Sequence, residues 1–263
     1  MEEKQNKKNI GVIGGGSWAT AIIKMLCENV NSVNWWMRNE DAINHIETYG
    51  HNPNYISDAE LKKSKLCLSS DINTIVKESD YLVLAVPSIF LKSTLKNLSF
   101  SIKDRVVISA IKGIVPENNT IVGEFIHNQY NIPHKNIGVI TGPCHAEEVA
   151  LERLSYLTVA CGDVQKAEFV ANSISGRYIK TTVSDDIYGT EYAAVLKNIV
   201  ALASGICCGL GYGDNFQAVL VSNAIREIKR FVDEVHPINR DIKESAYLGD
   251  LLVTSYSQFS RNR

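Results

Sequence analysis

The sequence lacks most of the features that mark the easily recognised function classes. It holds six cysteines, Cys27, Cys67, Cys144, Cys161, Cys207 and Cys208, but no two stand at C-x-x-C spacing, which argues against zinc and thioredoxin-type chemistry. The histidines include no H-x-x-x-H pair, so no metal site is expected; His45, His51, His127, His134 and His236 read as surface or loop residues. Neither sign of charge dominates, because 27 Lys and Arg face 29 Asp and Glu for a formal net charge of −2. Nothing in that balance draws the chain to nucleic acid or to an anionic membrane. No segment reads as the roughly 20 apolar residues that a bilayer span requires, so no membrane insertion is expected. Met1–Asn9 mixes Glu, Lys and Asn and has no apolar core of a signal peptide. The expectation is a cytoplasmic protein whose cysteines are small buried hydrophobes in a reducing compartment.

What is present is a chain of 263 residues, 45% of them hydrophobic, long enough to bury one sizeable core or two modest ones. Up to about Thr182, short β-branched runs alternate with helical stretches. Asn9–Ile13, Ser32–Trp36, Leu66–Leu68, Tyr81–Val86, Val106–Ala110, Ile137–Thr141, Tyr156–Ala160 and Tyr178–Thr182 read as strands. Strands apolar on both faces, alternating with helices, predict a parallel sheet covered on both sides. From about Asp185 no strand is evident. Thr190–Gly209 and Asn215–Val235 read as helices, the second opened by an Asp214/Gln217 capping box, and a third begins near Lys243. The expected fold class is α/β: a Rossmann-type dinucleotide-binding domain over residues 1–184 and an all-helical substrate domain over 185–263.

Between the first strand and the first helix lies Gly14-Gly15-Gly16-Ser17-Trp18-Ala19. In that strand–turn–helix context, G-x-G-x-x-A is a dinucleotide fingerprint. Gly14 permits the tight turn. Gly16 lets a pyrophosphate approach the backbone, and Ala19 lets helix and strand pack closely. The helix N-terminus then offers N–H groups and a positive dipole end to the phosphates. Gly15-x-Ser17-x-Ala19 also approaches a nucleophile elbow, but that motif does not belong on the first strand of a chain. An acid at the end of the second strand would grip a ribose 2′-hydroxyl. Here Arg38 stands there instead, with no carboxylate before Glu40, which favours NADP(H) and leaves NAD(H) open.

Three features mark a substrate side. Lys112-Gly113 follows the strand Val106–Ala110, at the carboxyl end where open α/β sheets bind ligands. Lys197 lies on a helical face with Ala193, Val200, Ala201 and Ser204. Desolvation there lowers a lysine pKa towards the range of a general acid/base. Gly249-Asp250 enters an apolar run, which suggests a buried carboxylate, and Ser260-Arg261-Asn262 has the chemistry of a phosphate grip.

Gly14–Ala19, Ala85–Ser88, Lys112-Gly113, Gly142–Ala150, Leu196-Lys197-Asn198, Gly211–Asn215, Leu248–Leu251 and Ser260–Asn262, in this order, resemble the bacterial NAD(P)-dependent glycerol-3-phosphate dehydrogenases over essentially the whole chain. The resemblance implies reversible reduction of dihydroxyacetone phosphate to sn-glycerol 3-phosphate, feeding phospholipid synthesis. It implies Lys197 and Asp250 as catalytic residues. Lys112, Gly142, Cys144, Lys197, Asp250, Ser260, Arg261 and Asn262 would hold a small phosphorylated substrate. Ser17, Trp18, Arg38, Lys112, Ala146 and Arg261, with the glycine loop, would touch the cofactor; a homodimer is the partner assembly it leaves open. Three departures stand out. Cys144-His145 replaces the usual Ser-Phe. Tyr247 replaces a small residue and is expected to crowd the cleft. The chain stops at Arg263 where the family continues, so the helical domain is expected to be incomplete at its C-terminus. Two alternatives stay open: a two-domain hydroxy-acid dehydrogenase using the same helix lysine, and a cofactor-binding form without turnover.

Overall fold

In a computed structural model, which describes residues 8–257, the chain builds one large sheet and a helical layer beside it. Strands β1 (Ile10–Ile13), β2 (Val33–Trp36), β3 (Leu66–Ser69), β4 (Tyr81–Leu84), β5 (Val106–Ser109), β8 (Ile137–Thr141), β9 (Ser155–Cys161) and β10 (Ile179–Ser184) form it. Their spatial order is β10-β9-β8-β5-β4-β1-β2-β3. The stretch from β3 to β8 is the 3-2-1-4-5-6 order of a dinucleotide-binding sheet. Residues at the strand ends shift by one or two positions from the sequence reading, as terminal pairings fray. A short antiparallel hairpin, β6 (Ile114–Val115) with β7 (Thr120–Ile121), was not anticipated; two-residue strands carry no period.

One expectation is corrected. The sheet is mixed, because β8 and β9 pair antiparallel, while β9 and β10 are parallel to each other. Ser155–Cys161 is buried along most of its length, and a doubly buried strand shows the same apolar run whichever way it points.

The two faces of the sheet bury separate cores. Ile10 and Val12 of β1 pack with Trp35, α1 (Ser17–Asn29), and α7 (Val164–Ile174). Ile13 faces the other way, with α3 (Ile72–Lys77), α4 (Ser88–Leu95) and α5 (Val122–Tyr130). Helix α2 (Glu40–Tyr49) adds Ala42, Ile43 and Ile46 to the first of these cores. Asp71 caps α3, its side chain accepting from the Asn73 N–H. Helix α1 is buried without interruption from Ala19 to Cys27. It is sandwiched between the sheet and two helices, α7 and α6 (Ala146–Ala150). Its buried Lys24 pairs with Glu152 at 3.1 Å. Of the cysteines, Cys27, Cys144 and Cys161 are buried as expected, but Cys67 and Cys208 are exposed and Cys207 is half-buried.

Beyond β10 the described chain is helical: α8 (Ile187–Gly209), α9 (Asp214–Val235), a π-helical turn over Ser245–Gly249, and α10 (Asp250–Tyr256). The expected Asp214/Gln217 capping box is absent. Gly213 is the cap, and the buried Gln217 instead accepts from Ser204 Oγ at 2.7 Å and donates to Ser204 O at 3.0 Å. Gln217 is claimed by α8 because a buried amide needs partners more than an exposed helix end does.

Helix α8 corrects a second expectation: it is long and apolar enough, by length and composition, to cross a membrane. The sequence reading missed this because Glu191 and Lys197 interrupt the run. Both are buried, and Glu191 takes the Gly123 N–H of α5 at 3.1 and 3.2 Å. That half of α8 is a docked core helix, whereas Ile199, Leu202 and Ile206 further along are exposed.

Burial pushes the Glu191 carboxyl up to about 7. The folded state therefore holds a proton between about 4.5 and 7 that the unfolded chain releases, and its stabilising effect is lost as pH rises through that window. Glu191→Gln should abolish this decline: thermal midpoints of the wild type should fall from pH 5 to pH 8 relative to the variant.

Candidate active site

The glycine loop is held by its carbonyl oxygens. Gly14 O accepts from Trp35 Nε1 at 2.6 Å, Gly15 O from Asn52 Nδ2 at 3.2 Å, and Gly16 O from the Thr20 N–H at 2.9 Å. Asn52 is buried and also donates to Thr20 Oγ1 at 2.9 Å. Gly14 has φ +144°, and a side chain there would collide with the Ala85 carbonyl. A Cβ on Gly16 would meet nothing within 4 Å. The backbone at Gly16 thus faces open space at the N-terminus of α1, where the first N–H groups of a helix have no intrahelical acceptor. Ala19 is fully buried, as close helix–strand packing requires, and Ser17 and Trp18 sit half-buried in the first turn. Sequence reasoning missed Trp35 and Asn52 as supports of this loop. Trp35 could have been read from strand alternation, but nothing local marks Asn52.

At the carboxyl ends of β5 and β8 the substrate-side residues meet. Lys197 and Asp250 are buried and form an ion pair, Nζ to Oδ1, at 2.5 Å. Lys112 reaches the same Oδ1 at 3.5 Å and donates to Gly142 O at 3.3 Å. Its ammonium also stands 5.8 Å from the centre of the Trp18 ring, linking this cluster to the glycine loop. Gly142 has φ +120°, and a Cβ there would lie 2.7 Å from the Tyr156 carbonyl, so the strand can end in this turn only with glycine. Burial pushes the Lys197 ammonium well below the usual lysine range; Asp250 opposes that shift, and Lys112 adds to it. Burial also pushes the Cys144 thiol up to about 12, so it stands neutral and is only a weak donor. His145, which precedes Ala146 at the start of α6, is held below its usual pKa by burial and by the Lys112 charge.

Of the residues expected at the site, Trp18, Lys112, Gly142, Cys144, Lys197 and Asp250 gather here, and Gly14, Gly16, Ser17 and Ala19 form the adjoining loop. Arg38 is exposed just beyond β2, one residue after Met37, which abuts Gly15 of the loop, and it makes no ion pair with any described residue. Glu40, the next carboxylate along the chain, accepts from Ser70 Oγ at 2.8 Å. Ser260, Arg261 and Asn262 lie outside the described residues. Tyr247 corrects an expectation: it does not crowd the cleft but is buried among Val221, Ala224, Ile228 and Leu251 between the helices.

Two family models match the chain: the N-terminus of NAD-dependent glycerol-3-phosphate dehydrogenase over residues 9–167 and its C-terminus over residues 186–263. The chain belongs to the NAD-dependent glycerol-3-phosphate dehydrogenase family. Among its relatives, the glycerol-3-phosphate dehydrogenase [NAD(P)+] of Exiguobacterium is 34% identical over 97% of this chain and 75% of its own length. The solved glycerol-3-phosphate dehydrogenase of Coxiella burnetii superposes with a TM-score of 0.86 at 25% identity, covering 97% of this chain and 78% of its own. That of the yeast Saccharomyces cerevisiae gives 0.83 at 28%, covering 94% and 77%.

The two loop glycines should separate folding from binding in this family member. Gly14→Val should lower the thermal midpoint markedly, because the side chain strikes backbone. Gly16→Val should leave the midpoint nearly unchanged yet abolish dinucleotide binding, measured by quenching of tryptophan fluorescence.

Proposed function

We propose that the chain catalyses the reversible reduction of dihydroxyacetone phosphate to sn-glycerol 3-phosphate, supplying phospholipid synthesis as a cytoplasmic enzyme. The observation that carries this reading is the convergence of Lys197, Asp250 and Lys112 at the carboxyl edge of the sheet, within reach of Trp18 in the glycine loop. We assign residues 1–184 to dinucleotide binding and 185–263 to the catalytic helical part.

The residues at the loop fit a nicotinamide dinucleotide. The space at Gly16 is open, and the buried Trp18 indole N–H has no partner among the described residues. Gly14, Gly16, Ser17, Trp18, Ala19, Lys112, Ala146 and Arg261 would hold it, and when bound it supplies the hydride. Arg38, with Glu40 turned to Ser70, favours a ribose bearing a 2′-phosphate, hence NADP(H) over NAD(H).

The chain's own residues manage charge and protons. Lys197, as an ammonium, delivers a proton to the C2 oxygen as negative charge develops there; as an amine it takes the proton back in the reverse direction. Asp250 holds that ammonium in one place and keeps it charged against the cost of burial. Lys112 presents positive charge to the phosphorylated substrate beside Gly142 and Cys144, and Ser260, Arg261 and Asn262 would complete the grip. Fixing the substrate by its phosphate turns a collision into an oriented encounter.

Following NADPH absorbance with dihydroxyacetone phosphate, Lys197→Met should lower kcat about 10³-fold; unchanged turnover would sink the acid/base assignment. For the wild type, reduction should fail as pH rises through the Lys197 pKa, below the free-lysine value of about 10.4, while oxidation gains over the same range. Arg38→Ala should raise KM for NADPH roughly tenfold through loss of charge-assisted hydrogen bonds and leave KM for NADH unchanged; equal effects on both cofactors would remove the NADP(H) preference.

A further inference from the structure

Lys197 and Asp250 reach each other from two different helices, α8 and α10, and their contact tolerates little error. Lys197 lies ten residues into α8, so its position depends on where that helix starts. Asp186 caps that start, its Oδ1 accepting from the Gly189 N–H at 2.9 Å. Asp250 follows the π-helical turn, and its own N–H closes that turn onto Ser245 O. Wide turns of this kind are rare and cluster at functional sites. The turn rests on the sheet through Ser245 Oγ, 3.4 Å from Thr158 Oγ1 on β9.

One side chain joins these two supports. Tyr247, inside the turn and three residues before Asp250, donates its hydroxyl to Asp186 Oδ2 at 2.5 Å. Arg240 reinforces the same carboxylate, Nε to Oδ2 at 2.7 Å, and continues to Asp233 at 2.6 Å and to the His236 carbonyl at 2.7 Å. Burial opposes the Asp186 charge, but Arg240 and Tyr247 together hold its carboxyl below the usual carboxylate range. The Tyr247 ring is buried and the hydroxyl has an ionised acceptor, so the bond is charge-assisted and geometrically exact in its demands. Helix packing alone would hold Tyr247 with any large apolar ring. The hydroxyl adds a fixed link between the turn that carries Asp250 and the start of the helix that carries Lys197.

We propose that Tyr247 is a positioning residue for the reaction: through Asp186 it sets the contact between Lys197 and Asp250. This rests on the assignment of those two residues as the catalytic pair. Tyr247→Phe keeps the ring and removes only the link. It should lower kcat about tenfold, as small displacements of catalytic groups do, with KM for NADPH unchanged. The pH at which reduction fails should move down, because a loosened Asp250 supports the Lys197 charge less. Asp233→Asn serves as the comparison, since it breaks the same network on the far side of Arg240 and should leave that pH in place. An unchanged kcat and pH profile in Tyr247→Phe, whatever its thermal midpoint, overturns the proposal. So does an equal shift in Asp233→Asn, which would show general loosening. A Lys197→Met control keeps the two readings apart: if it is inactive and Tyr247→Phe is normal, only the positioning role fails, whereas an active control overturns the catalytic pair itself.

Discussion

Everything in the site depends on a buried ammonium being kept charged. An isolated buried cation costs several kcal/mol and ordinarily gives up its proton. Lys197 is surrounded by that penalty and has one strong counterweight, the carboxylate of Asp250. Neither group could be buried alone, so the helices that carry them are tied together electrostatically as well as by their apolar faces. Lys112 brings the sheet into the same arrangement, reaching Asp250 from the end of β5. A third charge in the cluster lowers Lys197 further. In the role proposed for it, Lys197 must both give and accept a proton, and a proton held too firmly could not be passed on.

The glycine loop shows a complementary economy. All three of its carbonyl oxygens are engaged, by Trp35, Asn52 and Thr20. The donors at the start of α1 are left out of this bracing, so the loop is rigid without its positive end being used up. A phosphate arriving there would meet N–H groups already aimed, which saves the ordering cost of binding.

Much of this was legible beforehand because it rests on local pattern. Gly14–Ala19 sits between a strand and a helix, and Lys197 lies on a face of small residues; both signals survive without tertiary knowledge. The convergence of Lys112 with Asp250, 138 positions later, could be expected only through resemblance, since nothing in their spacing brings them together. Strand direction was not legible at β9, because its apolar run is the same in either orientation. Gln217 was misread because a partner on α8 outbid its own helix end. Tyr247 was misread because its size was weighed and its hydroxyl was not; Asp186, its acceptor, stands 61 residues away. The apolar length of α8 was hidden by the two charges that turned out to be buried.

The reversal of β9 and β10 has a consequence for where chemistry can occur. Because β10 runs against the six strands that make the dinucleotide-binding order, the chain leaves it at the edge opposite the glycine loop. Helix α8 therefore begins on the wrong side and has to climb back. From Ile187 to Lys197 it rises about 15 Å at 1.5 Å per residue, and a five-residue strand such as β8 spans roughly 16 Å. The helix acts as a gauge cut to the depth of the sheet, delivering its lysine level with the strand ends where Lys112 and Gly142 wait. An inserted or deleted residue in that stretch would alter both height and heading, turning the ammonium about 100° around the helix.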